Sequence, residues 1–172
     1  MNVPVTADIG ALLGEIRDGL VEDVQRRLAA AGYSDVRASD DCVFRHLTPE
    51  GVRLRDLADL SQLTAPAIGE HVDQLEGLGY VERVPDPSDR RAKLIRPTAR
   101  GAEFMRAGYG ALAEIEKEWE GVVGADALAR LRDALVQVRA LQQASEQAYA
   151  HSVREEPVPT AADDHAARAS RR

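Results

Sequence analysis

The chain has 172 residues, 44% of them hydrophobic and 4% aromatic, with a formal net charge of −7 and one cysteine. That length sustains one ordinary core plus a tail of ~20 residues, the Ala- and Leu-rich apolar set favours helices over a β-sandwich, and no apolar run approaches the ~20 residues that cross a bilayer. The lone Cys42 excludes an internal disulfide framework and fits a reducing, cytoplasmic setting, and the start MNVPVTADIG lacks the basic-then-apolar pattern of a signal peptide.

The first segment reads as a long amphipathic helix. Ile9, Leu13, Ile16, Leu20, Val24 and Leu28 recur in steps of three and four, Asp8 can cap the start, and Gly32 marks the stop. A shorter helix follows, with Ser39 as its expected N-cap, Asp40 and Asp41 in the first turn, and Val43, Phe44 and Leu47 facing inward. The stretch TPEG, residues 48–51, is turn chemistry. Leu57, Ala58 and Leu60 mark another short helix, broken at Ser61-Gln62-Leu63. Thr64 caps the next, whose Ile68, Val72, Leu75 and Leu78 form an apolar stripe, with Pro66 in the first turn and Gly79 just past the end. Two extended runs around Val81–Val84 and Ala92–Arg96, joined by a proline-containing turn, read as a β-hairpin. Pro97-Thr98 opens a long helix bearing Phe104, Leu112, Ile115, Trp119 and Val122, and a last helix carries Leu128, Leu131, Leu135 and Val138. From Arg154 the composition turns to prolines and charges, the signature of a disordered tail.

Helix, tight turn, helix, hairpin is the order of a winged helix-turn-helix, so the expected fold is mainly α with a small β-hairpin wing, flanked by long helices. The acidic total argues against nucleic acid, but residues 83–100 hold six basic against two acidic residues. A local patch binds phosphate whatever the total, because potentials decay over ~8–10 Å. The second helix of the pair can enter a major groove while the hairpin tracks the backbone, where cations release counterions. Arg90 and Arg91 stand at the hairpin tip, with Asp89 placed to orient Arg91 by an ion pair.

The segment RLRDLADLSQLTAPAIGEHVDQLEGLGYVERVPDPSDRRAKLIRPTARG, residues 53–101, resembles the core of the MarR family of bacterial regulators (multiple antibiotic resistance regulators). Its most specific piece is DPSDRRAKLIRPTARG, similar to the family's wing signature of Asp-x-Arg followed by a strand and a helix-opening Thr-x-x-Gly, here Asp89, Arg91, Thr98 and Gly101. The resemblance implies a homodimer on a pseudo-palindromic double-stranded operator, one protomer per half-site, repressing a nearby gene until a small effector or an oxidant relieves it. It divides the chain into an N-terminal dimerisation helix (1–36), a winged helix-turn-helix (37–100), C-terminal dimerisation helices (101–153) and the tail (154–172). The family's usual effector pocket would lie near Phe44, Arg45 and His46.

The candidate DNA contacts are Gln62, Thr64, Ala65, Pro66, Gly69, Glu70 and Gln74 from the helix pair, and Asp89, Arg90, Arg91 and Lys93 from the wing. One departure stands out: residues 64–80 carry three acids and no Lys or Arg. Glu70 can accept from a cytosine amino group, but an acidic groove face adds no affinity, so binding is expected to lean on the wing. The same acidity supports an alternative, a winged-helix interaction or small-molecule-binding module with vestigial DNA contact.

No Gly-rich phosphate loop, G-x-S-x-G or other catalytic constellation is present, so neither an enzyme nor a cofactor is expected. His46, His71, His151 and His165 suggest no metal site, with His71 expected to bond locally. Cys42, beside Val43 and Phe44, reads as a small buried hydrophobe rather than an oxidant sensor.

Overall fold

The structure, a computed structural model, describes residues 8–155 and divides the chain into two compact units, Met1–Glu118 and Trp119–Arg172. Apart from its first two positions, the tail expected at 154–172 lies outside the described residues.

In the first unit, Asp8 caps helix α1 (Ile9–Ala30) by accepting the Ala11 N–H at 2.9 Å. Of its apolar stripe only Leu28 is fully buried, while Ile9, Leu13 and Ile16 are exposed. The second helix is shorter than its pattern suggests: a 3-10 turn, Ala38–Asp40, leads into α2 (Asp41–Phe44). The capping side chain there is Asp40, not Ser39. The Asp40 carboxylate turns back onto the Arg37 N–H at 2.9 Å, and Ser39 is left exposed. Val43, Phe44 and Leu47 face inward as their spacing indicates.

A strand too short for any periodicity follows. β1 (Val52–Arg53) pairs with the later hairpin, so the wing is a three-stranded antiparallel sheet. Gly51 makes the entry possible: its φ is +96°, and a Cβ there would meet the Leu94 Cβ at 2.9 Å. Helix α3 (Leu54–Ser61) ends with Gln62 in the left-handed region at φ 55°, and Thr64 Oγ1 caps α4 (Ala65–Gly77) by accepting the Ala67 N–H at 3.3 Å. Ile68, Val72 and Leu75 of α4 are fully buried, so the opposite side of that helix is left to solvent. Strands β2 (Val81–Asp86) and β3 (Asp89–Pro97) pair Val84 with Leu94 and Arg83 with Ile95, and a bulge falls at Pro85/Asp86.

Tyr80 joins this domain to helix α5 (Ala99–Val123). Its ring is fully buried in an aromatic cluster with Tyr33, Phe44 and Phe104, at centroid distances of 6.3, 6.2 and 5.4 Å. Arg100 lies over the ring, 4.3 Å from its centroid. The Tyr80 hydroxyl donates to Asp35 at 2.6 Å and accepts from Arg100 at 3.0 Å. The Tyr80 carbonyl accepts the Thr98 N–H at 3.0 Å, the Thr98 hydroxyl donates to the neighbouring Gly79 carbonyl at 2.7 Å, and Thr98 Oγ1 caps α5 by accepting the Gly101 N–H at 3.1 Å. The Thr-x-x-Gly motif is thus a docking device.

In the second unit, α6 (Ala125–Glu155) starts after Gly124 with Asp126 in its first turn. Along its seam Leu131, Leu135 and Val138 are exposed. No helix among the described residues is long and apolar enough to cross a membrane.

Two outcomes follow from Tyr80. A Cβ on residue 101 would lie 1.9 Å from the Tyr80 carbonyl oxygen, so Gly101→Ala is expected to cost about 2–3 kcal/mol and lower Tm by roughly 5–10 °C, read by thermal denaturation; an unchanged Tm would refute the close approach. Burial, then the Asp35 hydrogen bond, pushes the Tyr80 hydroxyl up to about 12. A raised folded value gives stability that is complete below the unfolded tyrosine range and lost as pH climbs through about 12. The wild-type minus Tyr80→Phe difference in alkaline ultraviolet titration should therefore show one group with that high midpoint.

Candidate nucleic-acid interface and ligand cavity

The exposed side of α4 carries Ala65, Pro66, Glu70, Asp73 and Glu76, and Gly69 is half-buried. Gln62 and Thr64 are exposed at the turn, but the Thr64 hydroxyl is engaged as a helix cap. Gln74 turns inward: its amide donates to the Asp40 carboxylate at 3.2 Å. His71 bonds locally, with Nδ1 2.8 Å from Asp40 Oδ1.

The acids on α4 are less bare than the sequence suggests. Arg83, reaching across from β2, pairs with Asp73 at 2.6 Å and with Glu76, whose other oxygen accepts the Arg83 N–H at 3.3 Å. The wing's own charge shrinks in the same way. Arg96 pairs with Glu82 at 2.8 Å, and Arg100 is held by Asp35 and the Leu78 carbonyl, both at 2.8 Å. Three of the six cations counted between residues 83 and 100 therefore serve the fold, and Arg91 and Lys93 project from β3 as exposed residues. Arg90 lies on β3, and its side chain is outside the described part of the structure. The expected Asp89–Arg91 ion pair takes another form: Asp89 Oδ1 accepts the Arg91 backbone N–H at 3.0 Å. Two residues of separation suit an Asx-type turn better than a side-chain pair.

The turn before β3 is pinned by Asp86. Nearly buried, it accepts the Ser88 hydroxyl at 2.7 Å, the Ser88 N–H at 2.8 Å and Arg53 Nε at 2.7 Å. Those bonds, the Ser88 hydroxyl foremost, hold its carboxyl at about 2. The Asp-Pro-Ser turn was visible in the sequence, but Arg53's part depends on a strand that was not.

Beside the winged domain, α1, the Arg37–Arg45 stretch and α5 enclose a cavity of about 520 Å³. Val24, Leu28, Phe44, Phe104 and Leu112 give it apolar walls, and the exposed Arg17, Arg37 and Arg45 stand at its rim with one acid, Asp41. Phe44 and Arg45, expected near an effector pocket, both line this cavity, and Arg45 also borders a second recess. His46 lines that second recess with Cys42. The two stand four residues apart, a pairing that the metal reading overlooked. Among the described residues no three potential ligands group closely enough to hold a metal.

This is a winged helix-turn-helix, the fold of DNA-binding regulators. Residues 48–93 match the model of the MarR family, and the match ends before the Thr98–Gly101 motif. A MarR-family transcriptional regulator from Rhodococcus sp. RHA1 is 26% identical with a TM-score of 0.61, over 80% of this chain and 96% of that one. CouR from Rhodococcus jostii RHA1, whose structure is bound to p-coumaroyl-CoA, is 27% identical with a TM-score of 0.62, over 80% and 95%. A MepR mutant from S. aureus bound to an oligodeoxyribonucleotide shares the fold at 18% identity and a TM-score of 0.55, over 79% and 99%. No curated protein matches the chain in sequence.

Burial, followed by the charges of Asp40 and Asp41, pushes the Cys42 thiol above its ordinary value, so less of it is thiolate at neutral pH. Disulfide-exchange labelling of the native protein at pH 8 should run at least about tenfold slower than that of free cysteine and reach that rate on unfolding. Fast native labelling would reopen an oxidant-sensing role.

Proposed function

We propose that the protein is a cytoplasmic transcriptional repressor that binds a pseudo-palindromic DNA operator as a homodimer and releases it when a small molecule fills the cavity beside the winged domain. The observation that carries the reading is the joint placement of the exposed α4 face and the wing, with Arg83 covering two of the three acids on α4. The strongest argument for a vestigial DNA site was that acidity, and the ion pairs weaken it. Contacts are assigned to Gln62, Thr64, Ala65, Pro66, Gly69 and Glu70 at the helix pair, and to Asp89, Arg90, Arg91 and Lys93 at the wing. Gln74 contributes by holding α4, given its bond to Asp40.

The uncovered apolar stripes of α1 and α6 support dimerisation, because single soluble chains rarely leave such stripes to water. Recognition helices must then meet successive major grooves ~34 Å apart, and a ligand that alters that spacing must bind the DNA-free form more tightly. Apolar walls under a rim of Arg37, Arg17 (paired with Asp18) and Arg45 (paired with Asp41) favour an apolar molecule whose anionic group can meet Arg37 or displace a surface ion pair, a chemistry that p-coumaroyl-CoA, bound to CouR, shares.

Fluorescence anisotropy against tiled duplexes from the region upstream of the gene, at two salt concentrations, tests the reading. Binding should be confined to one tile and fall steeply with salt. Arg91→Ala should weaken it by roughly tenfold and lower the salt slope by about one. Equal, weak binding to every tile would favour the interaction-module alternative.

A further inference from the structure

Asp40 is fully buried. A carboxylate in such a place is tolerated only when donors surround it, and here they do. Oδ2 accepts the Arg37 N–H at 2.9 Å and the Gln74 amide at 3.2 Å, and Oδ1 faces His71 Nδ1 at 2.8 Å. An ionised carboxylate only accepts, so this contact places a His71 proton on Nδ1. His71 and Gln74 stand three residues apart on α4 and present one face of that helix to the same carboxylate. On the other side of Asp40, its neighbours Arg37, Ala38 and Asp41 line the cavity. One short turn of chain thus borders the cavity and grips α4. Apolar contacts between α2 and α4 can slide, whereas hydrogen bonds to a buried charge are directional and costly to leave unmade.

We propose that Asp40 is the positioning residue for α4 and the link by which occupancy of the cavity reaches it. A molecule entering the cavity displaces the Arg37–Asp41 turn, and Asp40 carries that displacement to His71 and Gln74. The inference rests on the reading of the cavity as a ligand site and of α4 as the groove helix. It adds a specific route between them, one that no apolar repacking reproduces.

The test uses the full-length protein, its operator duplex and anilinonaphthalene sulfonate as an apolar anionic probe, with probe fluorescence and DNA anisotropy read together. Gly108→Phe, which places a ring where the glycine lines the cavity in open space, should abolish probe binding. In wild type the probe should weaken DNA binding by about tenfold or more, within the usual range of coupling between sites. In Asp40→Ala and in His71→Leu, DNA binding without probe should weaken. The probe should still bind within about twofold of wild type, and its effect on DNA affinity should fall below about twofold. Asp40→Asn, which keeps a carbonyl acceptor and the side-chain shape, should recover most of the coupling; a purely structural role predicts no such split between probe binding and probe effect. Should Asp40→Ala fail to fold, His71→Leu carries the test, since the His71 side chain is 26% exposed. Variants that bind both partners and keep the wild-type ratio would overturn the proposal. Failure of the probe to bind wild type, or to affect its DNA binding, would instead sink the ligand reading, and the coupling with it.

Discussion

The carbonyl oxygen of Tyr80 is where α4, the wing and the long helix α5 converge. It receives the N–H of Thr98, whose hydroxyl holds the adjacent Gly79 carbonyl, and the backbone of Gly101 closes on it so tightly that no side chain fits between. Below the carbonyl, the Tyr80 ring fills the centre of the core, and its hydroxyl is held between Asp35 and Arg100. One residue therefore fixes the end of α4, the start of β2 and the entry angle of α5. The wing's position relative to the helix pair follows from that joint, as does the α5 wall of the cavity.

Charge in this protein is largely spent internally. Arg27 bridges Glu114 and Glu118 at 2.9 and 2.8 Å, joining α1 to α5, Arg53 serves the buried Asp86, and Arg83 and Arg100 pair with acids at the surface, Asp73 and Asp35. Counting charges along the sequence overstates both the basicity of the wing and the acidity of α4, because the two cancel across the gap between β2 and the helix. Among the described side chains of β2 and β3, Arg91 and Lys93 remain as an exposed cationic edge.

Much of this was legible beforehand. The α1 and α4 stripes, the Asp8 and Thr64 caps, the glycine stops and the wing hairpin all follow from local chemistry that operates within a few residues. What escaped notice depends on partners far along the chain. β1 is two residues long and exists because Ile95 and Leu94 lie opposite. Asp40 reads as an ordinary first-turn acid until α4 is seen against it, and Gln74 reads as outward until its amide finds that carboxylate. Arg83 belongs by sequence to the wing and by contact to α4. The Thr98–Gly101 motif was recognisable as a signature, but its reason, the Tyr80 carbonyl, lies some twenty residues upstream.

Arg83 has a geometric consequence. Because its backbone is fixed in β2 and its guanidinium grips Asp73 and Glu76 of α4 at once, the wing and α4 form a caliper with a set gap between its jaws. Under the proposed function, a duplex held by both jaws has to present groove and flanking phosphates at that one separation. Within a half-site, stretches of DNA whose groove width departs from the gap must deform to be gripped. Selectivity then arises from how stiff the DNA is at positions that no side chain reaches.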